Sequence, residues 1–294
     1  MPKAMAKNSY IIAGPTASGK SDFAHKLAKR LGGTIINADN VQMYIGIENI
    51  SASPFAGKSQ IDANSEIDGV PYRLFSIFDL SKQINLAEYL ELAKKEYEKA
   101  EIPIFVGGAG YYIDALINGI SPIPEVSPEN RERARKIISE TPEAAKQLTD
   151  FEFTDPQRMA RALEVFLETG RPISEWQKLS RKGAITPMPT RILIMPHRDI
   201  LIPRIRSRLK FMLDSGGLEE VKKYINFSTR AIGIDEIGKY LKEEISLDQA
   251  LDNWAKRTNQ YAKRQATWFR NKFNPDIKIM HIPTDKDLEI VFSK

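Results

Sequence analysis

Lys20, Ser21 and Asp39 are the residues whose types and spacing suit chemistry on a phosphate ester. Lys20 and Ser21 close the run Gly14-Pro15-Thr16-Ala17-Ser18-Gly19-Lys20-Ser21, which fits G-x-x-x-x-G-K-[ST], a phosphate-binding loop. Its glycines let the backbone fold around an anion with its N–H groups pointing inward. The N-terminus of a following helix adds partial positive charge. Lys20 supplies a full charge, and the Ser21 hydroxyl can reach a magnesium ion. Asp39 ends the apolar run Thr34-Ile35-Ile36-Asn37-Ala38. A carboxylate there can take a proton from an incoming nucleophile; it can equally cap a helix or join a magnesium shell. The loop points to a phosphate chain without saying that ATP is the substrate.

These groups need elements to carry them. Tyr10-Ile11-Ile12-Ala13 reads as a buried strand leading into the loop. Ser21–Leu31 reads as a helix, with Phe23, Ala24, Leu27, Ala28 and Leu31 recurring at helical spacing. Thr34–Asp39 is a second strand, Leu86–Ala100 a helix, and Ile102–Val106 a third strand that ends in Gly107-Gly108. Alternating strands and helices predict an α/β fold: a P-loop NTPase-like parallel sheet with helices on both faces. Ligands of such sheets bind at the carboxyl ends of the strands. The loop, Asp39 and the Gly107–Tyr111 segment are therefore expected around one crevice. No carboxylate ends the Ile104-Phe105-Val106 strand, where a motor ATPase would carry one for magnesium. That favours a transferase in which Asp39 handles the acceptor.

From Asn118 to Pro189 strand signals give way to helix signals. Ser127-Pro128-Glu129 and Asp155-Pro156 are helix starts, and Gly170 is a helix stop. The expected organisation is residues 1–117 as the first part of the core, 118–189 as an all-helical insertion, and 190–294 as completion of the core. In 190–294, Arg191–Met195 and Ile277–Ile282 return to strand character. Arg158 and Arg161 lie three apart and share a helix face, suited to a nucleic-acid backbone or simply to solvent.

The chain has 294 residues, 42% hydrophobic, and a net charge of +5, enough for one large domain or a domain plus an insertion. It has no cysteine, which excludes disulfides, thiolate metal sites and a cysteine nucleophile. His25, His197 and His281 are too far apart to suggest a zinc site. No apolar run approaches a membrane span, and the start lacks a signal-peptide apolar region, so a cytoplasmic protein is expected. Basic residues cluster at Lys178–Lys210, including Arg204, Arg206 and Arg208, and again at Lys256–Lys272, where Tyr261, Trp268 and Phe269 are interspersed. Clustered base suggests a polyanionic partner, and base beside aromatics can stack nucleotides.

Taken in order, these motifs resemble the bacterial tRNA dimethylallyltransferases, also called tRNA isopentenyltransferases. The matching pieces are Gly14–Ser21, Asn37-Ala38-Asp39-Asn40-Val41-Gln42-Met43-Tyr44, Val106-Gly107-Gly108-Ala109-Gly110-Tyr111-Tyr112 and Asp155–Arg158 through Arg161–Val165. Thr169-Gly170-Arg171-Pro172, Arg230-Ala231-Ile232-Gly233, Lys263-Arg264-Gln265 and Thr267-Trp268 complete the set, which spans nearly the whole chain. The resemblance implies transfer of a dimethylallyl group from dimethylallyl diphosphate to N6 of the adenine just 3′ of the anticodon, in tRNAs reading codons that begin with U. Asp39 would be the base, with Lys20, Ser21, Arg230 and Mg2+ stabilising the leaving diphosphate, and Thr16 lining the channel between the substrates. It also implies tRNA contacts from Asp39, Asn40, Val41, Gln42, Ala109, Arg131, Gln157, Arg158, Met159, Ala160, Arg161, Arg230, Gly233, Lys263, Arg264 and Gln265, to the anticodon stem-loop. A monomer suffices for this.

The chain departs from the family pattern at Asn40, where serine is usual, and at Ala109, where threonine is usual. Gly233-Ile234-Asp235 stands for Gly-Tyr-Arg, and Ile50-Ser51-Ala52-Ser53 for Gly-Thr-Ala-Lys. The alternative from the loop and Asp39 alone is a P-loop small-molecule kinase, against which the basic clusters speak. A degenerate nucleic-acid-binding fold would not need an intact Lys20, Ser21 and Asp39.

Overall fold

A computed structural model of the chain describes residues 8–58, 62, 65–141, 143, 155–226 and 231–293. It divides into two compact units, one made of Met1–Ile117 with Ile185–Lys294 and the other of Asn118–Ala184.

The first unit is built on a sheet of seven strands among the described residues, in the order β3-β4-β2-β5-β1-β6-β7. The strands are β1 Tyr10–Ala13, β2 Thr34–Asn37, β3 Glu66–Ile67, β4 Val70–Arg73, β5 Pro103–Gly107, β6 Thr190–Ile194 and β7 Ile277–Ile279. All neighbours run parallel except β3 against β4. β1 lies in the middle, with Ile11 opposite Phe105 on one side and Arg191 on the other. Its isoleucines are fully buried, as a strand covered on both faces requires. On one face Ile12, Ile35, Ile104 and Ile192 pack with Phe23, Ala24 and Leu27 of the helix Lys20–Leu31. On the other, Phe105 stacks with Tyr97 of the helix Leu86–Lys99 at 6.2 Å between ring centroids.

The hairpin β3–β4 escapes sequence reading because its strands are short, turn at Asp68-Gly69 and carry Pro71, features that favour an edge over a central strand. β2 stops at Asn37, two residues short of expectation, because Asn37 turns its side chain onto the chain ahead. Asp39 N donates to Asn37 Oδ1 (2.8 Å), and Asn37 Nδ2 donates to Asp39 O (2.8 Å) and Leu74 O (3.0 Å). β7 ends at Ile279 rather than Ile282.

A second core in this unit is helical. Trp254, on the helix Leu247–Lys272, is buried with Leu201, Ile205 and Leu209 of the helix Arg198–Met212, and with Ile237 of the helix Ile234–Leu241. Arg198–Met212 passes through a wide turn, Leu213–Gly217, into the helix Leu218–Tyr224. Gly216 sits there at φ 109°, which only glycine adopts without strain.

In the second unit, Ser127 Oγ accepts from Asn130 N at the start of the helix Pro128–Glu140. Asp155 accepts from Gln157 N (2.8 Å) and Arg158 N (3.3 Å) at the start of the helix Pro156–Thr169, which Gly170 ends in a left-handed conformation. Glu168 joins the two helices by accepting from Ser127 N, Ser127 Oγ and Asn130 Nδ2 at 2.8–2.9 Å. Ala134, Met159 and Leu163 form one small core, and Val126, Ala162, Val165 and Ile173 another. Paired bonds between Ile120 and Lys182 (2.9 Å each) hold its ends together. The unit closes at Ala184, five residues before the expected Pro189, because Ile185 N donates to Leu116 O and joins the first unit.

Candidate active site

The loop Gly14–Ser21 joins β1 to the helix Lys20–Leu31, which begins one residue earlier than its periodicity suggests. A Cβ on Gly14 would collide with Ile194 O of β6, so the sheet itself demands glycine there. Three side chains from the last third of the chain fix the loop, two through its backbone and one through the Thr16 hydroxyl. Gln265 accepts from Thr16 N (2.9 Å). Arg204 donates to Ala17 O (3.0 Å), and Arg208 Nη1 donates to Thr16 Oγ1 (3.0 Å). Lys20 Nζ reaches back to Pro15 O at 3.3 Å.

Asp39 stands just past β2, held there by the reciprocal bonds with Asn37. Its Oδ1 accepts from Val41 N (3.1 Å), capping the turn Val41–Met43. Oδ1 is thus spent on the turn, the capping role that the sequence allowed. Burial pushes the Asp39 carboxyl above its usual range, while Lys20, the Val41 N–H and Arg208 oppose that shift. Burial together with the Arg208 charge lowers the Lys20 ammonium to about 8, and Asp39 partly offsets this. Arg208 too is depressed by burial. The site therefore brings one carboxylate and two cations, all half-buried, under one another's influence. Such a setting favours an anionic ligand and can hold a carboxylate ready as a base.

The Gly107–Tyr111 segment meets the same place through the long helix Leu247–Lys272. Gln265 Nε2 donates to Gly108 O (2.8 Å), and a Cβ on Gly108 would strike that amide. Gln265 is thus a buried brace between the phosphate loop and the end of β5, with both ends of its amide occupied, rather than a free contact for tRNA. Gln42 spends its amide N–H groups on Ser51 O (3.2 Å) and Ala52 O (2.9 Å).

The other expected contacts divide. Lys263, Arg264, Gln157 and Arg158 are exposed. Arg161 is half-buried, with Glu164 at 3.2 Å, and Arg131, Ala160, Ala109, Asn40 and Val41 are half-buried too. Met159 is 8% exposed and belongs to the small core of the second unit, so it is packing rather than contact. Gly233 lies against the ring of Trp254, and Asp235 is paired with Arg257 (3.1 Å). Arg230 lies outside the described residues. Among those described, Arg208 is a cation that reaches the loop from another helix, through Thr16 Oγ1. In the sequence it stands only as one member of a basic cluster, because no local spacing links it to a loop 192 residues away.

No group of three or more His, Asp or Glu side chains suited to a metal occurs among the described residues. A magnesium ion carried on phosphate oxygens and waters needs no such cluster, and the exposed Ser21 at the helix start fits that arrangement. No helix among the described residues is long and apolar enough to cross a membrane.

Two family models match: IPP transferase over residues 42–272 and isopentenyl transferase over residues 7–63. A tRNA dimethylallyltransferase of Zymomonas mobilis is 38% identical over 89% of this chain and 87% of its own. One from a Chelativorans species is 37% identical over 95% and 100%. Among solved structures, the tRNA isopentenylpyrophosphate transferase of Bacillus halodurans aligns over 98% of this chain and 95% of its own, with TM-score 0.65 and 28% identity. With Arg208, Lys20 and Asp39 gathered at the head of a parallel sheet and these likenesses running nearly end to end, the chain belongs to the IPP transferase family.

Proposed function

We propose that this chain is a tRNA dimethylallyltransferase, transferring the dimethylallyl group of dimethylallyl diphosphate to N6 of the adenine just 3′ of the anticodon. The relatives' shared name supports the reaction class. The observation that carries the mechanism is the placing of Asp39 just past β2, at the same end of the sheet as the loop that holds Lys20 and receives Arg208 on Thr16 Oγ1. The adenine N6 attacks C1 of the prenyl group. The C1–O bond breaks with its electron pair leaving on diphosphate, and the N6 proton passes to Asp39. Lys20 and Arg208 stabilise the negative charge that grows on the leaving oxygens. Thr16, oriented by Arg208, sits between that leaving group and the acceptor. Ser21 would hold magnesium, which would supply further positive charge to the leaving diphosphate. The target base must leave its stack to reach Asp39.

The exposed Gln157, Arg158, Lys263 and Arg264, with Arg161, support tRNA backbone contact, the helical unit serving as the binding arm. We take the chain to act as a monomer, and a tRNA substrate supports action in the cytoplasm. The test is incubation with magnesium, unmodified tRNA and labelled dimethylallyl diphosphate, beside a parallel tube with labelled ATP. Label on tRNA is expected. Phosphate moving from ATP to a small molecule, with no prenyl transfer, would replace this reading by the kinase.

A further inference from the structure

Arg208 divides its guanidinium between two partners. Nη1 donates to Thr16 Oγ1, and Nη2 donates to Ala52 O at 3.2 Å. Ala52 also receives Gln42 Nε2, and Gln42 lies three residues beyond Asp39. The carbonyl of Ala52 therefore aims two side chains of the site at once. Ala52 itself is held in a left-handed backbone conformation at φ 51°, unfavourable for a residue with a Cβ, so something must hold this turn in place.

Backbone bonds close the turn itself, Ala52 N to Asn49 O (2.9 Å) and Ser53 N to Glu48 O (2.8 Å), and Glu220 anchors its start from another helix. Its Oε1 accepts from Asn49 N (2.8 Å) and Asn49 Nδ2 (2.7 Å), and its Oε2 accepts from Ile50 N (2.9 Å). Burial raises the Glu220 carboxyl, and the Asn49 and Ile50 N–H groups act against that shift. The wide turn at Leu213–Gly217 separates Arg208 and Glu220 along the chain, yet both grip the same short segment. Arg208 takes its carbonyl end and Glu220 its amide end. This segment includes Ile50-Ser51-Ala52 of the stretch that departs from the family pattern.

We propose that Glu220 is a positioning residue for the phosphate site: it anchors the start of the Asn49–Ala52 turn, whose Ala52 carbonyl sets Arg208 on Thr16. The inference rests on the reading of the Gly14–Ser21 loop as a diphosphate grip. In Glu220→Gln the side chain keeps its shape but turns an N–H toward a backbone N–H. Loss of one charged hydrogen bond is worth roughly tenfold in an equilibrium constant.

The experiment measures inorganic pyrophosphate binding by calorimetry, with magnesium and without tRNA, together with kcat and KM for dimethylallyl diphosphate. Glu220→Gln is expected to weaken pyrophosphate and raise that KM about tenfold, while KM for tRNA stays within twofold. Asn49→Ala, which removes only the Nδ2 bond, is the milder variant should Glu220→Gln fold poorly, and should move both quantities the same way by less. In an Arg208→Ala background the Glu220→Gln effect should largely vanish, because a residue acting through Arg208 is not additive with it. Unchanged pyrophosphate affinity in both variants, or full additivity with Arg208→Ala, would overturn the proposal. A wild-type chain that transfers prenyl groups but ignores pyrophosphate would overturn it as well. A wild-type chain that neither binds pyrophosphate nor transfers would instead remove the diphosphate reading beneath it.

Discussion

The phosphate site and the helical unit solve opposite problems with similar residues. Around the phosphate loop, arginines and glutamines are consumed inside the protein. Arg204, Arg208 and Gln265 each donate to backbone carbonyls, or accept from a backbone N–H, far away in sequence, and Gln42 does so across a short loop. In Asn118–Ala184 the helices are tied by short-range caps and by Glu168, while Gln157 and Arg158 are left in solvent. The first region ties its arginines to distant backbone and loop atoms, whereas the second ties Arg161 and Arg171 to glutamates just three and four residues on and leaves Arg158 exposed. Preorganised charge suits stabilisation of a reacting group. Exposed surface cations suit a polyelectrolyte, whose phosphates they neutralise by releasing counterions.

That contrast can be broken by experiment. Asp39→Ala should have the largest effect, lowering kcat by about 10²–10⁴ while tRNA binding stays within a few-fold. Equal loss of tRNA affinity would move Asp39 from chemistry to binding. Arg208→Ala should cost roughly 10²-fold in kcat/KM, the scale seen when one preorganised donor to a developing anion is removed. A tRNA-only defect would place it with the surface cations.

The pH profile sharpens the same point. Asp39 must be unprotonated, and its pKa is raised, so kcat/KM should climb with pH above the ordinary carboxylate range. Lys20 must be protonated and is lowered to about 8, so the rate should fall again as pH passes that value. Lys20→Arg, which stays charged, should lose the alkaline fall. A fall that survives in that variant would assign it to another group.

For the helical unit, Arg158→Ala with Arg161→Ala should weaken tRNA binding. The double variant should also flatten the salt dependence, by about one unit of slope for each phosphate left without its arginine, with kcat at saturating tRNA unchanged. A kcat defect there would erase the distinction drawn above. The smallest effect is expected from Asp155→Ala, which removes the cap of Pro156–Thr169 and should cost about 1 kcal/mol of stability, read by denaturant unfolding.

Features with local determinants are legible in the sequence. The loop Gly14–Ser21, the strand and helix on either side of it, and the caps at Ser127, Asp155 and Gly170 are each written within a few residues. Asp39 is legible because it ends an apolar run. Gln265, Arg204 and Arg208 are legible only as polar residues on helices, because what they touch is decided by tertiary packing. Met159 follows the same rule in reverse: beside Arg158 on a motif it looks like surface, but the turn of the helix carries it inward. β3 and β4 are missed because two short strands with a proline carry no periodic signal.

The dependence of an early loop on late residues also governs when the protein can first work. β1 needs a strand on each side, and the second, β6, begins only at Thr190. Thr16 waits for Gln265. At ribosomal speeds, about 250 residues of translation take on the order of 10–50 s. During that interval the nascent chain carries a complete phosphate-loop sequence without a phosphate site. It also exposes an unpaired apolar edge, the kind of surface that invites chaperones or misassembly.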